Sequence, residues 1–315
     1  SMEYNRTGVY NTGLGLSALR SSDSSSYNTA IGADAMYFHR KNNSNVAVGA
    51  FAMRGDSTGF WNTAVGSETM DVTGANSTSH SSVAVGFRAL RKVKTGIENT
   101  AVGVGAMEED SSGNYNTAVG RYASFLNKRG DYNTSMGINA ARIGDTASST
   151  TFIGSLAGYY NKSDYNTGIG MYSLTYTNYT AGSSTTGAEN TGLGYGSGYA
   201  INLGTKNTAV GYQSMNGDGN LINGSRNTGV GDSSLFRFAT GNDNVAVGFR
   251  ALSTAFNSSQ NVAIGSRALQ DYYGGYPNTA IGYSSMDSAT TGSANTAVGS
   301  FSLTSNKTGI NNVAI

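Results

Sequence analysis

The feature that most constrains this chain is a glycine that recurs at a nearly constant interval, each time closing a motif of the type Asn-Thr-Ala-Val-Gly. Seventeen such anchor glycines are present: Gly15, Gly32, Gly49, Gly66, Gly86, Gly103, Gly120, Gly137, Gly154, Gly170, Gly194, Gly211, Gly231, Gly248, Gly265, Gly282 and Gly299. Twelve of the sixteen intervals are 17 residues long, and the other four are 16, 20, 20 and 24. A fixed period of this length indicates a repeat architecture, in which each unit buries its apolar face against its neighbours.

Each column of the aligned repeat has its own residue type. The asparagine column lies four residues before the glycine and holds Asn in fifteen of seventeen units, with Ser82 and Thr150 in the other two. The next three residues are Thr or Val, then a small residue, then an aliphatic residue or Met; we call them the first, middle and last strand columns. Phe152 is the one large residue in the middle column. The Leu/Met column lies four residues after the glycine.

This pattern predicts an all-β fold. The strand columns alternate with period 2 and are rich in Thr, Val and Ile, which favour short strands. Gly and Asn dominate the remainder, so a helical repeat is rejected. We therefore expect a parallel β-solenoid (β-roll) of about 17–18 coils with 17-residue repeats, in which the stacked asparagines form a ladder that satisfies backbone groups at a corner.

The period also predicts the domain organisation. Residues 1–10 are interpreted as a tag remnant and lead-in, and residues 11–315 as a single repeat domain. Loop insertions are expected near 71–81, 175–189 and 216–226, where the interval lengthens. Insertions in solenoids map to loops that are often on the binding face, although neutral variation of loop length is the alternative.

Several copies of the motif resemble a known group of fibrous proteins. Asn-Val-Ala-Val-Gly occurs at 45–49 and 244–248, Asn-Val-Ala-Ile-Gly at 261–265 and Ser-Val-Ala-Val-Gly at 82–86. They resemble the motif of the YadA-like head domains of trimeric autotransporter adhesins. They are also similar to the Asn-Thr-Ala-Val-Gly arrays of bacteriophage tail fibres and tailspikes.

The resemblance implies that three chains pack side by side as a homotrimer. It also implies that the first and last strand columns face the interior of each roll, while the small middle column faces the partner chains. The repeat is longer than the autotransporter repeat, and no coiled-coil stalk or membrane anchor is visible. The phage-fibre interpretation is therefore favoured over the autotransporter one.

The composition argues against several function classes. The formal net charge of +1 gives no basic surface for nucleic acid, and no apolar run approaches the roughly 18 residues of a membrane span. The chain has no Cys, and His39 and His80 lie in variable segments away from any metal-spaced cluster, so both are interpreted as surface histidines. We expect no cofactor, no metal and no catalytic residue.

The densest acidic cluster is Glu108-Glu109-Asp110. Paired carboxylates are the groups that hydrolyse glycosides, which would fit a depolymerase. The repeat offers a simpler interpretation, because Arg54, Asp71, Arg91 and Glu108 share one column. Their charges alternate in sign, which predicts a ladder of ion pairs between coils.

The candidate binding residues are aromatic. An aromatic column lies directly before the asparagine column, and two more tyrosines lie in the second insertion; the predicted binding residues are Tyr10, Tyr27, Trp61, Tyr115, Tyr132, Tyr165, Tyr176 and Tyr179. Later coils carry Lys206, Arg226 and Asp243 in the aromatic column, so we expect it to be exposed. Stacked aromatic rings beside Asn and Asp are suited to holding sugar rings. The alternative is that they pack on turns or across a trimer interface.

The sequence therefore predicts a structural fibre or adhesin segment that recognises a host cell-surface receptor, a glycan or a protein. It would belong to a virion tail fibre or to an extracellular surface. A tailspike depolymerase is the enzymatic alternative. An ice-binding solenoid is a third hypothesis, which is disfavoured because the Thr column alternates with Val and is expected to face inward.

Overall fold

The computed structural model describes residues 2–55, 58–72, 77–178 and 186–315. It divides into two compact units, Ser1–Thr150 and Thr151–Ile315. Both are built from one short strand per coil, and the described residues contain no helix. The chain is a parallel β-solenoid, which confirms the predicted fold class.

The first unit contains eight strands. They are β1 Thr12–Leu14, β2 Thr29–Ile31, β3 Val46–Val48, β4 Thr63–Val65, β5 Val83–Val85, β6 Thr100–Val102, β7 Thr117–Val119 and β8 Thr134–Met136. Successive strands pair in parallel, as in β4 and β5, where Ala64 lies opposite Ala84 and Val65 opposite Val85. Each column of the sequence repeat is therefore also a column in space.

The second unit contains ten strands with the same register. They are β9 Thr151–Ile153, β10 Thr167–Ile169, β11 Thr191–Leu193, β12 Thr208–Val210, β13 Thr228–Val230, β14 Val245–Val247, β15 Val262–Ile264, β16 Asn278–Ile281, β17 Asn295–Val298 and β18 Val313–Ala314. The 24-residue interval before Gly194 leaves the register intact, because Thr167 pairs with Thr191. The longer interval therefore does not shift the register of the sheet.

The anchor glycine marks the closest approach between coils. Gly103 has φ of 135°, a conformation that side-chain-bearing residues rarely adopt. A Cβ atom on Gly103 would lie 2.6 Å from the carbonyl oxygen of Gly120 in the next coil. The backbone conformation and the lack of space each require glycine, which explains why every coil has one.

The predicted asparagine ladder is present and buried. The side chain of Asn116 accepts at Oδ1 from the backbone N–H of Asn133 (2.9 Å) and donates its Nδ2 to the carbonyl of Gly130 (2.7 Å). In the second unit, Asn261 donates its N–H to Oδ1 of Asn244 in the same way (3.0 Å). One side chain thus satisfies two backbone groups that water cannot reach, and each such bond contributes about 1 kcal/mol.

The middle strand column faces the interior of the coil, and the implied arrangement with that column between chains is wrong. Ala64, Ala84 and Ala101 are fully buried. In the same strands, Val83 and Val85 are 38% and 37% exposed. The first and last strand columns therefore point outward, and the small column lines the core.

The reason for this orientation is the size of the opposite wall. The third and fourth residues after each glycine also point inward, as Ala89 and Leu90 do. Because the Leu/Met column already fills the narrow interior, only a small residue fits opposite it. In the first unit the fully or almost fully buried members of that column are Leu19, Met36, Met53, Met70, Leu90 and Met107.

The wall that carries the Leu/Met column has an unusual backbone. Leu90 and Met107 have φ of 49° and 51°, in the left-handed region. Their N–H groups donate to the carbonyls of Ala106 (3.0 Å) and Ala123 (2.9 Å) in the next coil. Left-handed residues cost roughly 1–2 kcal/mol each, and these inter-coil bonds and the buried side chains offset that cost.

Phe152 is accommodated by an exchange of volume within its coil. Its ring is fully buried in the middle column, where other coils have Ala, Gly or, once, Ser135. Gly158 holds the Leu/Met position of the same coil, and a Cβ there would lie 2.5 Å from the Phe152 ring. The Phe152 ring therefore occupies the space that Leu or Met fills elsewhere.

The lead-in continues the coil, and the third insertion departs from it over a short stretch. Met2 donates its N–H to the carbonyl of Ala18 (2.9 Å), has φ of 54° and packs against the core. The third insertion leaves the coil at the exposed residues Asp218 and Gly219, and Ile222 returns to the core. Residues 73–76 and 179–185 of the other two insertions lie outside the described residues.

Replacement of Gly103 by Ala should destabilise the chain much more than replacement of Gly299. Both glycines have left-handed φ, 135° and 121°, but a Cβ on Gly299 meets nothing closer than 3.9 Å. Backbone strain alone costs about 1–3 kcal/mol, whereas Gly103→Ala adds a clash and should cost roughly 4 kcal/mol or more. Thermal unfolding of the two variants measures the difference, and equal melting temperatures would contradict the proposed inter-coil contact.

Phe152→Ala should cost about 3–5 kcal/mol, because it leaves a cavity. Gly158→Leu alone should also destabilise, since the leucine meets the ring. The double variant Phe152→Ala/Gly158→Leu recreates the usual pattern of the other coils and should recover most of the loss. Urea unfolding of all four proteins gives the coupling, and purely additive effects would refute the exchange of volume.

Candidate functional site

The outward face of the strands is a regular surface of Thr and aliphatic side chains. In the first unit, Thr63, Thr100 and Thr117 of the first column are partly exposed, and no described residue hydrogen-bonds their hydroxyl groups. Val65 and Val102 of the last column are 37% and 36% exposed. The second unit repeats this pattern with Ile153, Ile169 and Leu193. Each unit therefore presents a column that is mostly Thr, with Val in coils such as those of Val83 and Val245, beside a row of apolar groups.

The apolar surface extends past the strands. Several residues directly after the anchor glycine are large, apolar and exposed; they are Leu16, Phe87, Val104, Ile138, Met171, Tyr195, Tyr212, Phe249 and Tyr283. They lie beside the last strand column in sequence and widen the apolar band in many coils. This apolar band was not predicted from the sequence, because the aliphatic strand columns were expected to face the interior.

The aromatic column lies at a corner of the coil and is exposed, as predicted. The exposed members are Tyr10, Tyr27, Trp61, Tyr115, Tyr132 and Tyr165. Neighbouring rings stack on one another, with centroids 5.1 Å apart for Tyr10 and Tyr27 and 4.9 Å apart for Tyr115 and Tyr132. Where two rings stack, the facing surfaces are occupied, so a ligand reaches only the ends of a stack.

One interruption of the column forms a cavity in the first unit. Ser44 lies between Tyr27 and Trp61, one coil from each. A cavity of about 490 Å³ opens over it, lined by these three residues together with Phe60 and Asn43 among others. The structure thus brings together two of the predicted binding residues, Tyr27 and Trp61, around one space.

The remaining predicted residues lie elsewhere. Tyr176 is not in the aromatic column; its ring stacks on Tyr160 (5.3 Å) and meets Tyr199 edge-on (5.1 Å). Tyr179 lies outside the described residues. Burial and a hydrogen bond to Tyr176 raise the pKa of Tyr199 to about 12. This group of tyrosines borders a second cavity, of about 380 Å³, that Tyr172 and Tyr195 help to line.

The acidic residues pair with cations, as the ladder interpretation predicted. Arg54 and Asp71 form a two-point ion pair with both N–O distances at 3.0 Å. Arg91 lies 3.6 Å from Glu108, and Lys92 lies 2.7 Å from Glu109. Glu108 and Glu109 are therefore engaged with neighbouring coils. The depolymerase hypothesis stays a prediction.

Asp110 has a different environment, because it is buried in the coil. Its Oδ1 accepts hydrogen bonds from the N–H groups of Gly113 (2.8 Å) and Ser112 (3.2 Å). Its Oδ2 has no partner among the described residues. Burial raises the pKa of Asp110 to about 7. In the next coil Asn127 occupies the equivalent position, and its Oδ1 accepts a hydrogen bond from the N–H of Gly130 (3.0 Å). A neutral side chain therefore makes the same hydrogen bond at this position.

The interpretation of both histidines as surface residues is wrong for His39. His39 is fully buried, and its ring nitrogens lie 3.0 Å and 3.2 Å from the carboxamides of Asn42 and Asn45. It lies seven residues after its glycine, as Asp110 does, at an interior position that other coils fill with apolar residues such as Val93 and Phe238. His80 is partly buried and stacks on Phe60 at 3.8 Å, and burial lowers its pKa.

Comparisons with known proteins do not assign a family. No protein-family model matches the chain, and no curated protein is significantly similar to it. Within the described ranges, no group of three or more His, Asp or Glu side chains is arranged to hold a metal ion. The same part of the chain contains no helix long and apolar enough to cross a membrane.

Asp110→Asn should stabilise the protein above neutral pH and have little effect near pH 4. The pKa of Asp110 is raised in the folded state, so the native protein binds the extra proton and stability falls as pH rises from about 4 to about 7. At roughly 1.4 kcal/mol per pKa unit, the loss reaches a few kcal/mol. The melting temperature measured from pH 4 to pH 8 should be flatter for the variant.

The reciprocal variant Asn127→Asp is the matched control. It should introduce a second loss of stability over the same pH range, because the new carboxylate replaces a buried amide. Parallel pH profiles for the wild type and both variants would contradict the burial of this column.

Proposed function

We propose that this chain is a structural, receptor-binding segment of an extracellular or virion fibre. Its copies would associate side by side as a homotrimer, and its exposed corners would contact a glycan on a host cell. The observation that carries the proposal is the outward sheet face with its adjoining apolar residues. Exposed apolar surfaces that continue over many residues are typical of interaction sites.

The periodicity of this face favours another copy of the chain as its partner. Val65, Val85 and Val102 recur once per coil, at the strand spacing of about 4.8 Å. A second array with the same spacing matches every coil, and an identical chain supplies it. The row of Thr hydroxyls beside the valines would supply hydrogen bonds across the contact. Trimeric packing is also what the resemblance to adhesin heads and tail fibres implies.

The aromatic column supports the receptor-binding part of the proposal. It lies two residues before the first strand column, so it is distinct in sequence from the strand residues that copies would cover. Tyr27 and Trp61 are 60% and 65% exposed. Exposed aromatic rings with polar neighbours are suited to binding sugars by apolar contact and hydrogen bonds.

Val102→Glu should disrupt the assembly. A charge at the centre of an apolar contact is costly to bury, and we expect the trimer to weaken by about 100-fold or more. Thr95→Glu adds the same charge at an exposed site away from the strand face and is the matched control. Sedimentation equilibrium should give three chains for the wild type and the control. A monomeric wild type would refute the assembly.

A second candidate function is ice binding, which the outward Thr row favours. The expectation that this column faces inward, which counted against ice binding, is wrong. The first column repeats once per coil and carries a Thr in most coils, so its hydroxyls and methyls recur along the strand face. Thermal hysteresis of the purified protein separates the two functions, because the fibre proposal predicts none.

A further inference from the structure

The cavity over Ser44 lies where one rung of the aromatic column is missing. Tyr27, Ser44 and Trp61 have φ of 60°, 58° and 60°. Each donates its backbone N–H to a carbonyl of the preceding coil, at 3.0, 3.1 and 3.2 Å. Equal backbone geometry directs the three Cβ atoms alike. Ser44 therefore leaves an open slot in a regular column.

The slot has room for one ring. Adjacent rungs stack with centroids 5.1 Å apart in Tyr10 and Tyr27 and 4.9 Å apart in Tyr115 and Tyr132. Tyr27 and Trp61 are two coils apart, which corresponds to about 10 Å. That is twice the stacking distance, so one further ring between them restores the regular spacing. The cavity of about 490 Å³ lies at this place.

The base of the slot is polar and uncharged. Ser24, Ser26, Asn43 and Ser44 line it. Oδ1 of Asn43 accepts from the N–H of Ser26 (2.8 Å), while no described residue bonds its Nδ2 or the hydroxyl of Ser44. The site therefore offers free hydrogen-bonding groups beside two aromatic side chains.

Phe60 closes one side of the slot. One face of its ring is covered by His80, at a centroid distance of 3.8 Å, and the ring also lines the cavity. Trp61 meets Phe60 edge-on at 4.9 Å and 88°. The Trp61 ring is thus supported by a fixed neighbour, which lowers the cost of ordering it when a ligand binds.

We propose that Tyr27 and Trp61 clamp a single pyranose ring of an uncharged sugar residue over Ser44, with Asn43 and Ser44 bonding its hydroxyl groups. The inference rests on the proposed function, because it names the site and the ligand class of the glycan contact. A pyranose combines apolar ring faces with a rim of hydroxyls, which matches aromatic walls and a neutral polar base. A quaternary ammonium ligand would be favoured by carboxylates, and the cavity lining contains none.

Trp61 reports on the slot directly, because it is the only tryptophan of the chain. The full chain is titrated with methyl glycosides of glucose, galactose, mannose and N-acetylglucosamine, and with choline. At least one glycoside should change the Trp61 emission saturably in the millimolar range, and choline should not. Tyr27→Ala should weaken that binding by about tenfold.

Ser44→Tyr is the sharpest variant, because it inserts the missing rung at a position whose φ already matches the tyrosines of the column. It should abolish the response and leave the circular dichroism unchanged. Ala294→Tyr adds a tyrosine to the same column, at φ of 56°, in the second unit and should bind like the wild type. If Ser44→Tyr does not fold, Tyr27→Ala decides the question.

Several results would overturn the inference. They are an unchanged Trp61 emission with every glycoside, a response to choline alone, or glycoside binding that Ser44→Tyr retains. A loss of assembled mass in Ser44→Tyr would show that another chain fills the slot.

A glycan array separates the slot proposal from the proposed function. Binding to the array that Ser44→Tyr retains refutes the slot and leaves the proposed function standing. Wild-type protein that binds neither a glycan array nor host cells refutes the function itself.

Discussion

Backbone contact between successive coils at the anchor glycine is the constraint on which the rest of this structure depends. In the interior coils no side chain fits at that point, because a Cβ would lie 2.3–2.6 Å from the next carbonyl oxygen. The contact fixes the register between neighbouring coils. Residues at equivalent positions of the repeat therefore lie directly above one another in successive coils. The asparagine ladder, the aromatic stacks and the ion pairs all follow from that conversion.

The same closeness makes the interior narrow. The Leu/Met column fills it from one wall, so the strand wall contributes only Ala, Gly or Ser opposite. Phe152 is consistent with this rule because Gly158 leaves the opposite position empty. The larger strand residues are then directed outward, and the chain exposes an apolar face. The exposed apolar face is therefore a consequence of the packing inside each coil.

Much of the fold followed from the sequence, and the failures have physical causes. The 17-residue period predicted the solenoid, and the Asn column predicted the ladder. The alternating charges of one column predicted the Arg54–Asp71 ion pair. The predicted orientation of the strand was the reverse of the observed one, because the alternation in Val-Ala-Val fits either the Val or the Ala side chains facing the interior. The volume of the side chains on the opposite wall decides between the two orientations. That wall has a left-handed backbone, which its residue types do not predict.

The candidate site was predicted only in part, for a similar reason. The aromatic column was correctly placed at an exposed corner, but stacking between neighbours such as Tyr115 and Tyr132 covers facing surfaces. The position that lacks an aromatic residue, Ser44, is the one that creates space. The residue type of Ser44 does not indicate a binding site, because the site depends on the aromatic ring that is missing there. The buried His39 was likewise hidden by the variety of its column.

The orientation of the strand is the central claim, and cysteine reactivity tests it most directly because the chain has no cysteine of its own. Val102→Cys should react with a maleimide, or form a disulfide with a second copy when oxidised. Ala101→Cys should do neither until the protein is unfolded. A reactive or cross-linked cysteine at 101 together with an inert one at 102 would contradict the account.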